Sequence, residues 1–309
     1  MKRFAIDPIT AWLIAVVLSF LLFGSIYFFL TRFPTREELI LKAAALWEEA
    51  EKTEEEPKKE EEQAASHLPE EESHEHKQEM GHGTPWAYDG PQGPSHWGEL
   101  SEEYLTCKKG QQQSPIDLGT AKISTKIPEL KISYGESSVS LINNGHTIVG
   151  NYSPGSKIEI GPKTFELKHF LFHSPSEHQV SGAPYPISMH LVHENQAGEL
   201  VVATVFFEES NKQNPYLQQI WEELPQRNGS HGPAVNMNIT SLLPEKRDFY
   251  TYQGSLTTPP CTEGVTWFIF KHSVRISSNQ IDQFQVIYAN NARPIQPTKG
   301  RQVFLTKFQ

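Results

Sequence analysis

Two stretches place histidines where they could serve a metal. TFELKHFLFHSPSEH (residues 164–178) and ISMHLVH (residues 187–193) are rich in residues that favour extended chain. Successive side chains of a strand point to opposite faces. His169, Leu171 and His173 therefore share one face, with Phe170 and Phe172 on the other; in the second stretch Ser188, His190 and Val192 share a face. Two such strands lying side by side would offer the imidazoles of His173 and His190 to Zn²⁺, whose bonds to nitrogen are about 2.0–2.1 Å. Strand histidines are more often satisfied by hydrogen bonds than by a metal, so the pattern by itself is a weak signal.

The elements that must position these residues lie in residues 84–309, a segment long enough for one domain with a sizeable core. Short apolar runs recur through it: SVSLIN, TFELKHFLFH, ISMHLVHE, LVVATVFF and VTWFIFKH. Their Val, Ile, Phe and Thr content, and the Gly, Pro, Asn and Ser between them, mark strands. YLQQIWEEL and SNQIDQFQVIY fit short helices. The expectation is a mainly β domain with a few helices (α+β), without internal repeats.

The preceding chain has a different character. Ile9 to Leu30 forms an uncharged run of 22 residues, long enough to cross the roughly 30 Å core of a bilayer. TRFPTREE follows it where a cleavage site would need small residues, so residues 1–34 are expected to be an uncleaved transmembrane signal-anchor. Flanking charges leave its orientation nearly tied: Lys2 and Arg3 before the span, Arg32, Arg36 and Lys42 after it. Residues 35–83 begin as a short amphipathic helix and continue as an acidic spacer. They hold 16 Glu against 6 Lys and Arg, which accounts for the whole net charge of −10. So charged and apolar-poor a segment reads as a flexible tether. Its His67, His74, His76 and His82 fit solvated linker histidines better than a metal site. An acidic balance concentrated in one segment argues against a nucleic-acid partner. Two cysteines in 309 residues exclude a disulfide-dense scaffold.

Residues 84–309 resemble an alpha-class carbonic anhydrase of the bacterial periplasmic type. The likeness rests on TPWAYDG, SHWGEL, QQQSPIDL, NNGH, FHSPSEH, MHLVH, YTYQGSLTTPPC and RPIQPTKGRQV, in that order. It implies a large twisted, mostly antiparallel sheet around a central conical cleft. It also implies a zinc ion that makes hydroxide available near neutral pH for attack on CO2, giving bicarbonate and a proton. His173 and His190 match two of three zinc ligands. Thr257 matches the threonine that accepts a hydrogen bond from the nucleophile, Glu177 its carboxylate partner and Thr258 its neighbour. His146 matches the proton shuttle. Val192, Val202, Leu256, Val265 and Trp267 match the apolar CO2 pocket, and Tyr88, Asn144 and Gln113 the polar lining. Cys107 and Cys261 match a bridged pair. A bridge would imply an oxidising compartment, and so a single-pass protein of the cytoplasmic membrane with its domain on the periplasmic or extracellular side.

Two positions depart from the family. Leu171 stands where the first ligand histidine belongs, and Ser188 replaces the glutamate that orients the third. Two outcomes stay open. His169, on the same strand face, substitutes as ligand and the chain converts CO2 and bicarbonate; or no zinc is held and the domain is a catalytically silent binding module in a membrane assembly.

Overall fold

The computed structural model describes residues 84–306, apart from residues 125, 126 and 128. The expected membrane span at residues 9–30 and the spacer at 35–83 lie outside the described residues. Among the described residues no helix is long and apolar enough to cross a membrane.

The described residues form fifteen strands: β1 Lys122–Ile123, β2 Leu130–Ser133, β3 Glu136–Asn143, β4 Ile148–Tyr152, β5 Lys157–Ile160, β6 Lys163–His173, β7 Gln179–Val180, β8 Ala183–Pro184, β9 Ile187–Glu194, β10 Leu200–Ser210, β11 Val235–Asn238, β12 Phe249–Ser255, β13 Glu263–Phe270, β14 Val274–Ser277 and β15 Phe304–Thr306. Thirteen build one sheet. Its main path runs β1-β15-β12-β13-β10-β9-β6-β4-β3-β11, with β14 attached to β10, β5 to β6 and β2 to β5. Three pairings are parallel, β1–β15, β10–β13 and β10–β14. The rest are antiparallel, in line with the mainly β expectation. Four of the five apolar runs fall within strands, and the fifth, VTWFIFKH, continues two residues past the end of β13 at Phe270.

The helices are few and short: α1 Trp97–Leu100, α2 Thr106–Lys109, α3 Pro215–Trp221 and α4 Ser278–Gln285. In α3 the Asn214 side chain accepts from the Tyr216 and Leu217 amides, ahead of Pro215 at the first turn. A reciprocal Ser277/Gln280 capping box starts α4. The run YLQQIWEEL stops being helical at Trp221, because Leu224 precedes Pro225 and cannot easily hold helical dihedrals.

The sheet buries both faces. One carries the main core, including Phe165, Leu167, Phe170, Phe172, Met189, Leu191, Ala203, Phe207, Phe268 and Phe270. The other carries a smaller cluster with Val192, Val202, Phe206, Val265 and Trp267. A bulge in β6 sets which residues go where. Leu167 pairs with His193 and His169 with Val192, leaving Lys168 as an extra exposed residue. Phe165 and Leu167 before the bulge and Phe170 and Phe172 after it all reach the main core, although the two pairs differ in sequence parity. His169, Leu171 and His173 consequently face the smaller cluster. Gly150 of β4 lies opposite Phe170, and a Cβ there would run into the Phe170 ring. The ring packs flat on the sheet only because that position has no side chain.

Candidate active site

Directly opposed residues form rows across β6, β9, β10 and β13. His173, Ser188 and Phe206 make one row; Leu171, His190 and Thr204 the next; His169, Val192, Val202 and Trp267 the third. Leu171 therefore sits beside His190 on the shared face, where its isobutyl group offers no lone pair.

His173 and His190 converge. Their ring centroids are 4.7 Å apart, and the residues are only 1% and 2% exposed. The His173 Nδ1–H donates to the Asn291 carbonyl at 2.7 Å, which leaves Nε2 as the free lone pair. Asn291 is itself held by β6 and the turn after it: its side chain donates to the Phe172 and His146 carbonyls and accepts from the Ser174 amide. His173 Nε2 lies 3.4 Å from Glu177 Oε2, and His190 Nδ1 lies 3.8 Å from the same oxygen. His173, Glu177 and His190 are the one group among the described residues whose donor atoms cluster tightly enough for a metal, all within 4.8 Å. His169 is not in this group. Its Nδ1 is buried without a hydrogen-bond partner, and burial pulls its pKa down to about 4.

Glu177 is fixed from behind. Its Oε1 accepts from the Arg293 amide at 3.0 Å, and Thr257 presents its hydroxyl to the same carboxyl, while Oε2 lacks a partner of hydrogen-bonding geometry. Burial pushes the carboxyl pKa up. The His173 charge, the Thr257 hydroxyl, and the amide and charge of Arg293 oppose that rise. The Arg293 guanidinium turns away from Glu177 to Gln113 Oε1, the Ser114 carbonyl and the Cys107 carbonyl at 2.7–2.9 Å. Burial lowers its pKa to about 10. His190 is driven well below the ordinary imidazole range by burial, then by His173 and His178. It is therefore neutral, the form that binds metal.

The Thr257 loop is anchored by a disulfide between Cys107 of α2 and Cys261. The Cys261 amide donates to the Thr258 carbonyl, and Gln113 donates to the Cys261 carbonyl and to Glu263. Val192, Val202, Val265 and Trp267 are buried together with half-buried Leu256 against them, so the five expected pocket residues form one apolar cluster. The Trp267 ring meets His190 edge-on at 5.1 Å, so this cluster adjoins the histidine pair. His146 is half-buried and stacks on Trp86, with centroids 3.7 Å apart and 8° between planes; burial lowers its pKa. Asn144 shapes the turn beneath it, accepting from the His146 and Thr147 amides. The Tyr88 hydroxyl is buried without a partner.

Several supporting residues went unassigned in the sequence reading. Asn291 and Arg293 hold His173 and Glu177. A buried chain runs from Ser114 Oγ through Tyr252 Oη to His178 Nε2, each step 2.7 Å. Trp86 carries the His146 ring. RPIQPTKGRQV and FHSPSEH contained Arg293 and His178, but contacts spanning 116 residues, as between Arg293 and Glu177, leave no local pattern. Ser188 Oγ and His190 Nε2 are both buried, and neither has a partner.

A family model described as Eukaryotic-type carbonic anhydrase matches residues 92–307. A carbonic anhydrase of Nostoc sp. is 41% identical over 224 residues, covering 71% of this chain and 84% of the relative. The structure of an alpha-carbonic anhydrase from Thermovibrio ammonificans with the inhibitor sulfanilamide superimposes with a TM-score of 0.69 at 42% identity, covering 72% of this chain and 99% of that one. Dioscorin dioA3 of Dioscorea japonica is 32% identical over 224 residues, covering 69% of this chain and 82% of the relative.

Proposed function

This chain belongs to the eukaryotic-type (alpha) carbonic anhydrase family and is an enzyme of the carbonate dehydratase type, and from that membership we propose that it hydrates CO2 reversibly to bicarbonate and a proton at this site. The observation that carries the reading is the joint placement of His173, His190, Glu177 and Thr257 beside the apolar cluster of Val192, Val202, Leu256, Val265 and Trp267.

Two buried imidazoles that converge on one carboxylate oxygen suit zinc. The ion would act as a Lewis acid that makes hydroxide available near neutral pH. The chain's own residues do the remainder. The apolar cluster receives CO2 in a dry pocket, where no water competes for it. Thr257, backed by the Glu177 carboxyl, orients the attacking oxygen. His146, half-exposed on the Trp86 ring and with a pKa below the ordinary imidazole value, passes the product proton to buffer. Asn291 and Arg293 hold His173 and Glu177 in place throughout.

The disulfide supports a setting outside the cytoplasm, with residues 9–30 as a membrane anchor and the domain on the periplasmic or extracellular side. Protease protection in intact cells tests that placement. Leu171 and Ser188 favour a second reading, a silent carbonic-anhydrase-like module presented to a membrane-protein partner. Stopped-flow CO2 hydration by the purified full-length protein, with its zinc content measured in parallel, separates the two. Hydration at the uncatalysed rate by zinc-loaded protein removes the enzymatic reading.

A further inference from the structure

We propose that Glu177 is the third protein donor of the metal site, so that this chain holds a divalent cation through two imidazoles and a carboxylate. The inference rests on the carbonic anhydrase reading for the presence of zinc, and it changes what holds the ion.

The distances fit. Four donors on a tetrahedron with bonds of about 2.0–2.1 Å lie about 3.3–3.4 Å from one another. The Glu177 oxygen is 3.4 Å from His173 Nε2 and 3.8 Å from His190 Nδ1. Both pairs to the carboxylate lie within a few tenths of an ångström of that spacing, all three donor atoms lie within 4.8 Å of one another, and the fourth position remains for water or substrate.

The electrostatics also fit. Glu177 is 1% exposed, and a buried carboxylate needs compensating charge or hydrogen bonds. Its Oε1 has the Arg293 amide, but the guanidinium spends its three hydrogen bonds on Gln113, Ser114 and Cys107. Oε2 and His173 Nε2 are left without partners, and His190 turns its Nδ1 to the same oxygen at 3.8 Å. A cation between the rings and Oε2 supplies the missing counter-charge. The outer contacts that a ligand set needs are already present at two donors: Asn291 fixes the His173 tautomer, and the Arg293 amide fixes the carboxyl.

His169 is a poorer donor. It lies four residues from His173 on the same strand, about 14 Å at the usual rise, and its row passes through Val192 and Val202 rather than His190. Imidazoles standing off one sheet at that separation do not meet on a single ion.

Zinc affinity of the full-length apoprotein, measured by competition with a chromogenic chelator, and the visible spectrum of its Co²⁺ form test the assignment. Glu177→Gln should weaken zinc by more than about 100-fold, since losing an outer partner alone typically costs 10–100-fold, and should alter the Co²⁺ spectrum. His169→Ala should change neither. Leu171→His placed in the Glu177→Gln protein should restore binding by returning a nitrogen. Should Glu177→Gln fail to fold, Glu177→Asp, which retracts the carboxylate by one methylene, should show the same loss. Zinc retained by the Glu177 variants, or lost on His169→Ala, overturns the proposal. Those results together with CO2 hydration by the unaltered protein would leave the enzymatic reading standing. Zinc held through Glu177 without hydration would do the reverse, and an unaltered protein that takes up no zinc removes both.

Discussion

Phe170 and Phe172 alternate with His169, Leu171 and His173 along one strand, and the two sets live in different chemistries. On the first side, β6 and β9 close against a continuous apolar core. The buried polar group there, His193, has both ring nitrogens engaged, with Tyr134 Oη at 2.8 Å and the Val201 carbonyl at 3.3 Å. On the second side, His169, His173, His190, Ser188 and Thr204 each carry a buried nitrogen or oxygen without a partner. Unpaired buried groups typically cost about 1–3 kcal/mol each. A fold that satisfies one face and leaves such groups on the other, a few ångströms away, has its stability and its chemistry on opposite sides of the same two strands.

Four experiments would break or sharpen that contrast. The largest effect belongs to the packed side: Phe172→Ala should cost about 3–5 kcal/mol in denaturant unfolding while leaving the folded protein's zinc affinity unchanged. A large drop in affinity would show that the faces are not separable. On the other side, Thr257→Ala should lower kcat/KM about 10²–10³-fold, as loss of an orienting polar group does in other active sites, with the melting temperature nearly constant. A fall in stability to match would make Thr257 a structural residue. His146→Ala should reduce turnover about 10²-fold in dilute buffer, and added imidazole should recover it; no recovery would remove its role as proton carrier. The smallest effect is a pH slope from the satisfied face. Burial lowers the His193 pKa to about 3, so between the unfolded value near 6.5 and about 3 the unfolded chain binds the extra proton. Its contribution is complete above pH 6.5 and declines as pH falls, by at most about 1.4 kcal/mol per pH unit. Urea midpoints between pH 7 and 4 should show a slope that flattens in His193→Gln; an equal slope in that variant would assign the loss to other groups.

The alternation in TFELKHFLFH was legible, as were all five strands and both helices named from the sequence. The bulge at Lys168 was not, because a bulge is a pairing event and leaves no mark in a single strand. The gap at Leu171 could be read directly: a hydrocarbon has no lone pair wherever it folds. What surrounds the gap could not. Glu177 matched a partner for Thr257, and its approach to both imidazoles depends on how the chain turns after β6. Asn291 and Arg293 reach His173 and Glu177 from 118 and 116 residues away, contacts that only the closed sheet creates. The disulfide was expected through the family resemblance, and the bond joins those two cysteines.

Lys168 is exposed, and its ammonium meets Glu166 on its own strand at 3.1 Å, so by surface criteria almost any side chain should serve there. Its presence as a length of backbone is another matter. The two halves of β6 are read in different frames, and Lys168 is the inserted letter. Deleting it would put Leu167 directly before His169, so that Phe165, Leu167, Phe170 and Phe172 alternate regularly on the core face, the imidazoles keep the other, and the ladder to His193 and Val192 runs on without its bulge and local bend. Lys168→Ala should therefore melt like the parent, and removal of the residue should keep a cooperative unfolding transition; loss of that transition would show that the bend itself is needed.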